Sequence, residues 1–215
     1  FDLAIVFANQ PLMKGNRVAI VTNAGGPGIM ATDACVKFGL QMAEMSPVTV
    51  AKLKEKLPPT SNFSNPIDVI GDAQHDRYEH ALRCVIAEPN VDGVLVLLTP
   101  QAMTEAEATA KIIVDVDKES DKTIVTCFMG HSDVEAGVKV LKEHMIPHCS
   151  FPEDSARTLA AMNRYQQWLH RSRTGVKHYP VDRQAADVVI MRAQKEKQKF
   201  LPINQSMEIF SAYKF

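Results

Sequence analysis

The chain has 215 residues, of which 46% are hydrophobic and 23% charged, with a formal net charge of -1. That length suits one domain of ordinary size with an appendage, or two small ones, and the composition is that of a globular chain rather than a disordered one. Scattered Lys and Arg leave no footprint for nucleic acid or a membrane surface, and no apolar run approaches the ~18 residues of a membrane span.

In chain order, residues 1–7 read as helix from the start, with neither an initiator Met nor a signal-peptide pattern, as if the chain were cut from something longer. Next comes "RVAIVTNAGGPGIMATDACVKFG" (17–39). A short apolar run at 18–21 suits a strand buried on both faces, 23–28 is a turn of small residues, and 29–38 carries helix periodicity. Further strand-like runs fall at 40–43, 94–98, 124–128 and 148–151. Helical patterns at 49–56, 76–86, 105–116 and 133–144 separate them, and a final helix spans 153 to about 171. Such alternation implies a parallel sheet with helices on both faces, and five strands favour a flavodoxin-like, doubly wound domain. Two segments stand apart. "LPPTSNFSNPIDVIGDA" (57–73) is long and rich in Pro, Ser and Asn, the mark of a functional loop. After Arg171, "SRTGVKHYPVD" reads as a linker, 183–200 as a charged helical extension, and "SMEIFSAYKF" as a last helix. Cys35, Cys84, Cys127 and Cys149 lie far apart without a CxxC pair, which reads as reduced thiols of a cytoplasmic protein.

Asn23, Ala24, Gly25, Gly26 and Gly28 form the leading candidate site. A strand, a glycine-rich turn and a helix in that order present helix N-terminal N–H groups to an anion, and Pro27 suits a first helical turn. Residues 26–31 also satisfy G-x-G-x-x-A formally, so a dinucleotide, another anion and a merely tight turn all stay open. A second candidate is "VLVLLTPQAMTEAEA", where Thr99 suits an N-cap, Pro100 the first helical position, and Gln101 and Ala102 the opening turn. Two helix N-termini would then flank one crevice at the C-terminal strand edge, unless Thr99 simply caps its helix. Asn65 and Asp68 bring an amide and a carboxylate toward the same edge, or mark a turn. His131 precedes a helix, but the sequence shows no partner for it, and the histidines have no metal-ligand spacing, so no metal is expected.

"GNRVAIVTNAGGPGIMATDAC", "LPPTSNFSNPIDVIGDA", "VDGVLVLLTPQAMTE" and "VKVLKEHMIPHCSFPEDSARTLAAMNRYQQW" together resemble the ADP-forming acyl-CoA synthetases, relatives of succinyl-CoA synthetase. The resemblance spans residues 1–168 and corresponds to the succinyl-CoA-ligase-like flavodoxin domain. It implies 1–13 as a lead-in from an upstream domain, 14–172 as the flavodoxin-like domain, and 173–215 as a linker and helical extension toward an ATP-grasp module. In that family an acyl-CoA and phosphate give an acyl phosphate, a histidine takes the phosphoryl group, and its loop carries it to ADP. The histidine motif is absent here and would lie upstream, so no catalytic side chain is expected in this chain. The resemblance implies CoA, ATP or ADP, phosphate and Mg in the full-length enzyme, and CoA-binding and ATP-grasp domains or subunits as partners. It also implies a small carboxylic acid or acyl phosphate as ligand, and a homo-oligomer. The family often has Gly-Gly where this chain has Gly130-His131, which weakens His131 as a required group. Two other readings stay open: a non-catalytic synthetase-like module of a protein acetyltransferase, and a free-standing flavin or nucleotide binder. The second lacks the expected Ser/Thr-rich phosphate loop.

Overall fold

The computed structural model describes residues 2–171 and 179–215, which fall into two compact units. In the first, α1 (Asp2–Asn9) precedes β1 (Arg17–Thr22), α2 (Gly25–Lys37), β2 (Gln41–Met42), α3 (Pro47–Lys56) and β3 (Ile67–Asp68). Then follow α4 (His75–Ala87), β4 (Gly93–Leu98), α5 (Ala106–Lys118), β5 (Thr123–Phe128), α6 (Glu135–Glu143) and α7 (Pro152–His170).

All strand pairs are parallel, in the order β2-β1-β4-β5, with β3 also on β1. β4 and β5 are buried throughout, which is why they read as unbroken apolar runs rather than alternating ones. Their side chains still divide by parity. Val18, Ile20, Leu95, Leu97, Val125 and Cys127 pack with Val6 of α1, Ala31 and Cys35 of α2, and Leu159 and Met162 of α7. Ala19, Val21, Val94, Val96 and Ile124 pack on the other face with Leu53 of α3, Tyr78 of α4, Ile113 of α5 and Leu141 of α6. The result is the expected five-stranded parallel α/β sandwich, in which α1, α2 and α7 cover one face, α3 to α6 cover the other, and every strand points its C-terminal end the same way.

One of the five strands is not where the sequence places it. Residues 148–151 form only a single bridge, Thr126 with His148, held by Thr126 N–H to Pro147 O (2.9 Å) and Cys149 N–H to Thr126 O (2.9 Å). The run cannot continue, because Pro152 opens α7 and fixes Phe151 as its extended N-cap (φ -131°, ψ 146°). The fifth strand is β3, hidden in the Pro- and Asn-rich loop. β2 pairs with Arg17 and Val18, β3 with Val21 and Thr22, so the two share one edge of β1 in succession. Asn65 fills the gap between them: its Oδ1 accepts Ile20 N–H (2.9 Å), and its Nδ2 donates to Val18 O (2.7 Å) and Ala43 O (3.1 Å).

At the opposite, N-terminal edge of the sheet, Arg17 holds Asp92 through both carboxylate oxygens, each at 2.8 Å. Glu88, 1% exposed, accepts N–H groups of Ser46 (3.0 Å) and Asn90 (3.2 Å). Burial pushes the Glu88 carboxyl up, but hydrogen bonds from Ser46, Thr49 and Asn90 outweigh it and leave it at about 2. All four cysteines are buried, and burial pushes the Cys35 and Cys127 thiols up to about 12. No helix among the described residues is long and apolar enough to cross a membrane.

The second unit, described over 179–215, pairs α8 (Arg183–Lys195) with α9 (Ile203–Ala212). Asp182 caps α8 by accepting Ala185 N–H (2.9 Å), and Ala186, Val189 and Ala193 are its buried stripe. Of the linker read at 172–182, residues 172–178 lie outside the described residues.

Candidate functional site

The C-terminal strand edge gathers three loops: 22–26 after β1, 68–73 after β3, and 99–105 after β4. Asn23, 2% exposed, ties the first to the third. Its Oδ1 accepts Thr99 N–H (2.9 Å) and Thr99 Oγ1–H (3.1 Å), and its Nδ2 donates to Thr99 O (2.8 Å). The 68–73 loop closes on both, since a Cβ on Gly71 would stand 3.7 Å from Gln101 Cγ and 3.8 Å from Asn23 O.

Ala24 is the N-cap of α2, with extended backbone and no capping side chain. Its own N–H donates to Thr22 Oγ1 (3.1 Å), and Gly28 N–H makes the first intrahelical bond, to Ala24 O (3.1 Å). Pro27 has no N–H. Of the orphan donors that open a helix, Gly25 N–H and Gly26 N–H therefore remain, with no acceptor among the described residues. Both residues are exposed and neither has a positive φ, so their use is access and not an unusual backbone. A Cβ on Gly26 would meet nothing within 4 Å, and one on Gly25 only Asp68 Oδ2, at 3.7 Å. Gly28 differs: it is buried, and a Cβ there would lie 3.1 Å from Thr22 Cγ2, so it serves the approach of α2 to β1 and faces no ligand.

The second helix N-terminus is not there. Thr99 caps nothing, since α5 starts at Ala106 with Glu105 as N-cap. Between them Gln101 N–H donates to Thr104 Oγ1 (2.9 Å) and Thr104 N–H to Gln101 O (3.0 Å), a side-chain-closed turn that competes with helix for the same backbone groups. Gln101 and Ala102 are exposed on this turn and line a cleft of about 440 Å³ with Thr104 and Asp133. Asn65 does not reach the edge with Asp68, because its amide is spent on the sheet backbone. Asp68 does reach it: Oδ1 accepts Ile70 N–H (2.8 Å), while Oδ2 lies beside Gly25.

Sequence reasoning missed two pairs at this edge. His75, the first residue of α4, sets Nδ1 2.5 Å from Glu105 Oε2, and this hydrogen bond holds the Glu105 carboxyl below its ordinary value. Arg77 binds Asp72 Oδ1 (2.5 Å) and Val69 O (3.3 Å), and its guanidinium lowers the Asp72 carboxyl. His75 and Glu105, 30 residues apart, leave no spacing signal in a sequence. His131 is exposed and its side chain makes no capping hydrogen bond to the turn that follows it, and the described residues include no group of three or more His, Cys, Asp or Glu able to hold a metal. Chemically, the arrangement offers two aligned N–H donors at the positive end of a helix and an open approach to them. It suits stabilisation of an oxyanion rather than nucleophilic or acid–base work.

The model of the Ligase-CoA domain matches residues 18–175, which take in every loop of this edge. The chain belongs to the Ligase-CoA domain family. Among curated relatives of this Ligase-CoA domain, the ADP-forming 4-hydroxybutyrate–CoA ligase of Nitrosopumilus maritimus is 32% identical over 213 residues, 99% of this chain and 30% of the relative. The ADP-forming acetate–CoA ligase I of Archaeoglobus fulgidus is 38% identical, over 78% of this chain and 23% of the relative. A solved structure of acetyl-coenzyme A synthetase 1 from Ca. Korarchaeum cryptofilum, in complex with phosphate and ADP, superposes with a TM-score of 0.72 at 27% identity, covering 80% of this chain and 39% of that one. The chain thus spans less than a third of these curated relatives.

Proposed function

We propose that this Ligase-CoA domain works within an ADP-forming acyl-CoA synthetase, which converts acyl-CoA, ADP and phosphate into a carboxylic acid, CoA and ATP. Phosphate displaces CoA from the acyl group, giving an acyl phosphate. A histidine supplied by another domain then takes the phosphoryl group, releasing the carboxylate, and passes it to ADP. The observation that carries the reading is the pair of open N–H donors on Gly25 and Gly26, at a helix start that no side chain of the domain caps. They would hold an oxygen of the carboxylate or acyl phosphate where negative charge gathers, and the α2 dipole adds about 0.3 to 2 kcal/mol for such a group. Ala24 shapes the entrance, and Gln101, Ala102 and Asp68 border it. Asn23, Thr99, Gly28 and Asn65 are its scaffold, holding the loops without touching the ligand.

The rest of the reaction belongs to neighbours. In this reading 1–13 lead in from an upstream domain, 14–172 are the flavodoxin-like domain, and 173–215 lead toward an ATP-grasp module. CoA and ADP bind on those neighbours, Mg accompanies the nucleotide, and the full-length protein is a cytoplasmic homo-oligomer. The α-subunit names among the relatives support division of the same work between chains. The test is ATP formation from acyl-CoA, ADP and phosphate by the full-length protein. Turnover is expected there and not from the 215-residue chain alone, and robust turnover by that chain alone would overturn the assignment.

A further inference from the structure

Ile70 has a φ of 73°, a left-handed backbone that a β-branched side chain enters only with steric strain. Met145, Lys197 and Lys214 also have positive φ, but each stands just past the end of a helix (α6, α8 and α9), where a left-handed residue is the ordinary stop. Ile70 ends no helix. It follows β3 in the 68–73 loop, at the strand edge that carries the Gly25 and Gly26 donors. The backbone is pinned on both sides of it: Val69 N–H donates to Thr22 O (2.8 Å), Ile70 N–H to Asp68 Oδ1 (2.8 Å) and Ala73 N–H to Ile70 O (3.0 Å). Arg77 adds a bond to Val69 O (3.3 Å) and one to Asp72. Strain of this kind persists only where the surroundings over-determine the backbone, and such places gather at ligand sites. Glycine or asparagine would relieve it, so the isoleucine side chain is what the strain supports. That side chain is half-buried, yet among the described residues it packs with neither hydrophobic core. Its neighbours face the acyl site: Asp68 Oδ2 lies beside Gly25, and Gly71 closes on Asn23 and Gln101.

We propose that Ile70 is a specificity-determining residue, an apolar wall for the tail of the acyl group whose carboxyl end sits on the Gly25 and Gly26 N–H groups. The proposal rests on the acyl-site reading above and adds to it the chemistry of the substrate's far end, an aliphatic tail. Such a tail sheds water against the wall, whereas the N–H donors hold only the atoms that every acyl group shares. Removing the wall therefore changes the choice among acyl groups and not only the rate. A methylene more or less in an apolar pocket is worth about tenfold or more in that choice.

The experiment is ATP formation by the full-length protein from acetyl-, propionyl- and butyryl-CoA, in the parent, Ile70→Gly and Ile70→Asn, beside thermal unfolding of each. Glycine and asparagine both accept a left-handed φ, so both variants should unfold at or above the parental midpoint. The ratio of kcat/KM for butyryl-CoA to that for acetyl-CoA should fall by about tenfold or more in both. A residue that only shaped the loop would scale all three substrates alike. A ratio unchanged in either variant overturns the proposal, as does a parent that uses acetyl-CoA but neither longer substrate. A midpoint lowered in both variants marks Ile70 as a packing residue and overturns it too. Gly26→Val judges the acyl-site reading apart from this one. Its loss of turnover should be alike for all three substrates, and near-normal turnover there overturns that reading whatever the Ile70 variants do.

Discussion

Gly26→Val separates a ligand-holding turn from a merely structural one. Gly26 lies in the first turn of α2 with no positive φ, and its missing Cβ faces open space. Valine there costs no clash and no backbone strain within the domain. On helix propensity alone glycine is about 1 kcal/mol and valine about 0.5 kcal/mol worse than alanine, so folding stability should stay within about 0.5 kcal/mol or rise slightly. The isopropyl group would occupy the space from which an anion reaches the Gly25 and Gly26 N–H groups. Loss of one oxyanion donor typically costs about a hundredfold or more, about 2.7 kcal/mol of barrier, and that is the expected fall in turnover. The assay is ATP formation by the full-length protein, run beside thermal unfolding of the same variant. Lys37→Ala, on the exposed far end of α2, is the control and should leave turnover within a few-fold. Gly39 cannot serve in that role, because its φ of +85° would strain any side chain. Near-normal turnover by Gly26→Val, or a fall in activity explained by unfolding, would refute the reasoning.

Asn65→Ala should destabilise the first unit by about 2–4 kcal/mol, because it leaves Ile20 N–H without an acceptor inside the sheet. Asn65→Asp should not rescue it, since Val18 O and Ala43 O need a donor; chemical denaturation of both variants checks this. Glu88 sits at about 2 when folded, against about 4.3 for an ordinary glutamate. Its contribution, at most about 3 kcal/mol, is complete above the unfolded value and is lost as pH falls through that window toward about 2. Thermal midpoints taken from pH 6 down to pH 2 should therefore drop less steeply in Glu88→Gln than in the parent. Gly137→Ala should cost about 2 kcal/mol or more, because the new Cβ would stand 2.5 Å from Ala106 O and 2.9 Å from Phe128 Cε2. A stable variant with α5 and α6 unmoved would contradict that packing.

What could be read from the sequence was whatever local periodicity encodes. β1, β4 and β5 are buried on both faces and so are written as continuous apolar runs, and α4 to α7 carry their stripes at helical spacing. The turn at 23–26 was legible because a strand, small residues and a helix follow one another within a few positions, and their order alone puts N–H groups at the strand edge. What tertiary structure decided is whatever depends on partners distant in the chain. β3 is two residues long and exists because β1 has an edge left unpaired beyond β2, while residues 148–151, more strand-like by composition, are stopped by Pro152. Thr99 has the residue type of an N-cap, but Asn23, 76 positions away, claims its N–H, hydroxyl and carbonyl, and Thr104 closes the following turn first. Asn65 looked like a ligand group, and the sheet consumed it. In each case a polar side chain in a loop had several backbone partners open to it, and sequence proximity does not rank them. The fold chooses by leaving the fewest buried hydrogen-bonding groups unpaired, and that is a sum over the whole sheet edge that no local window contains.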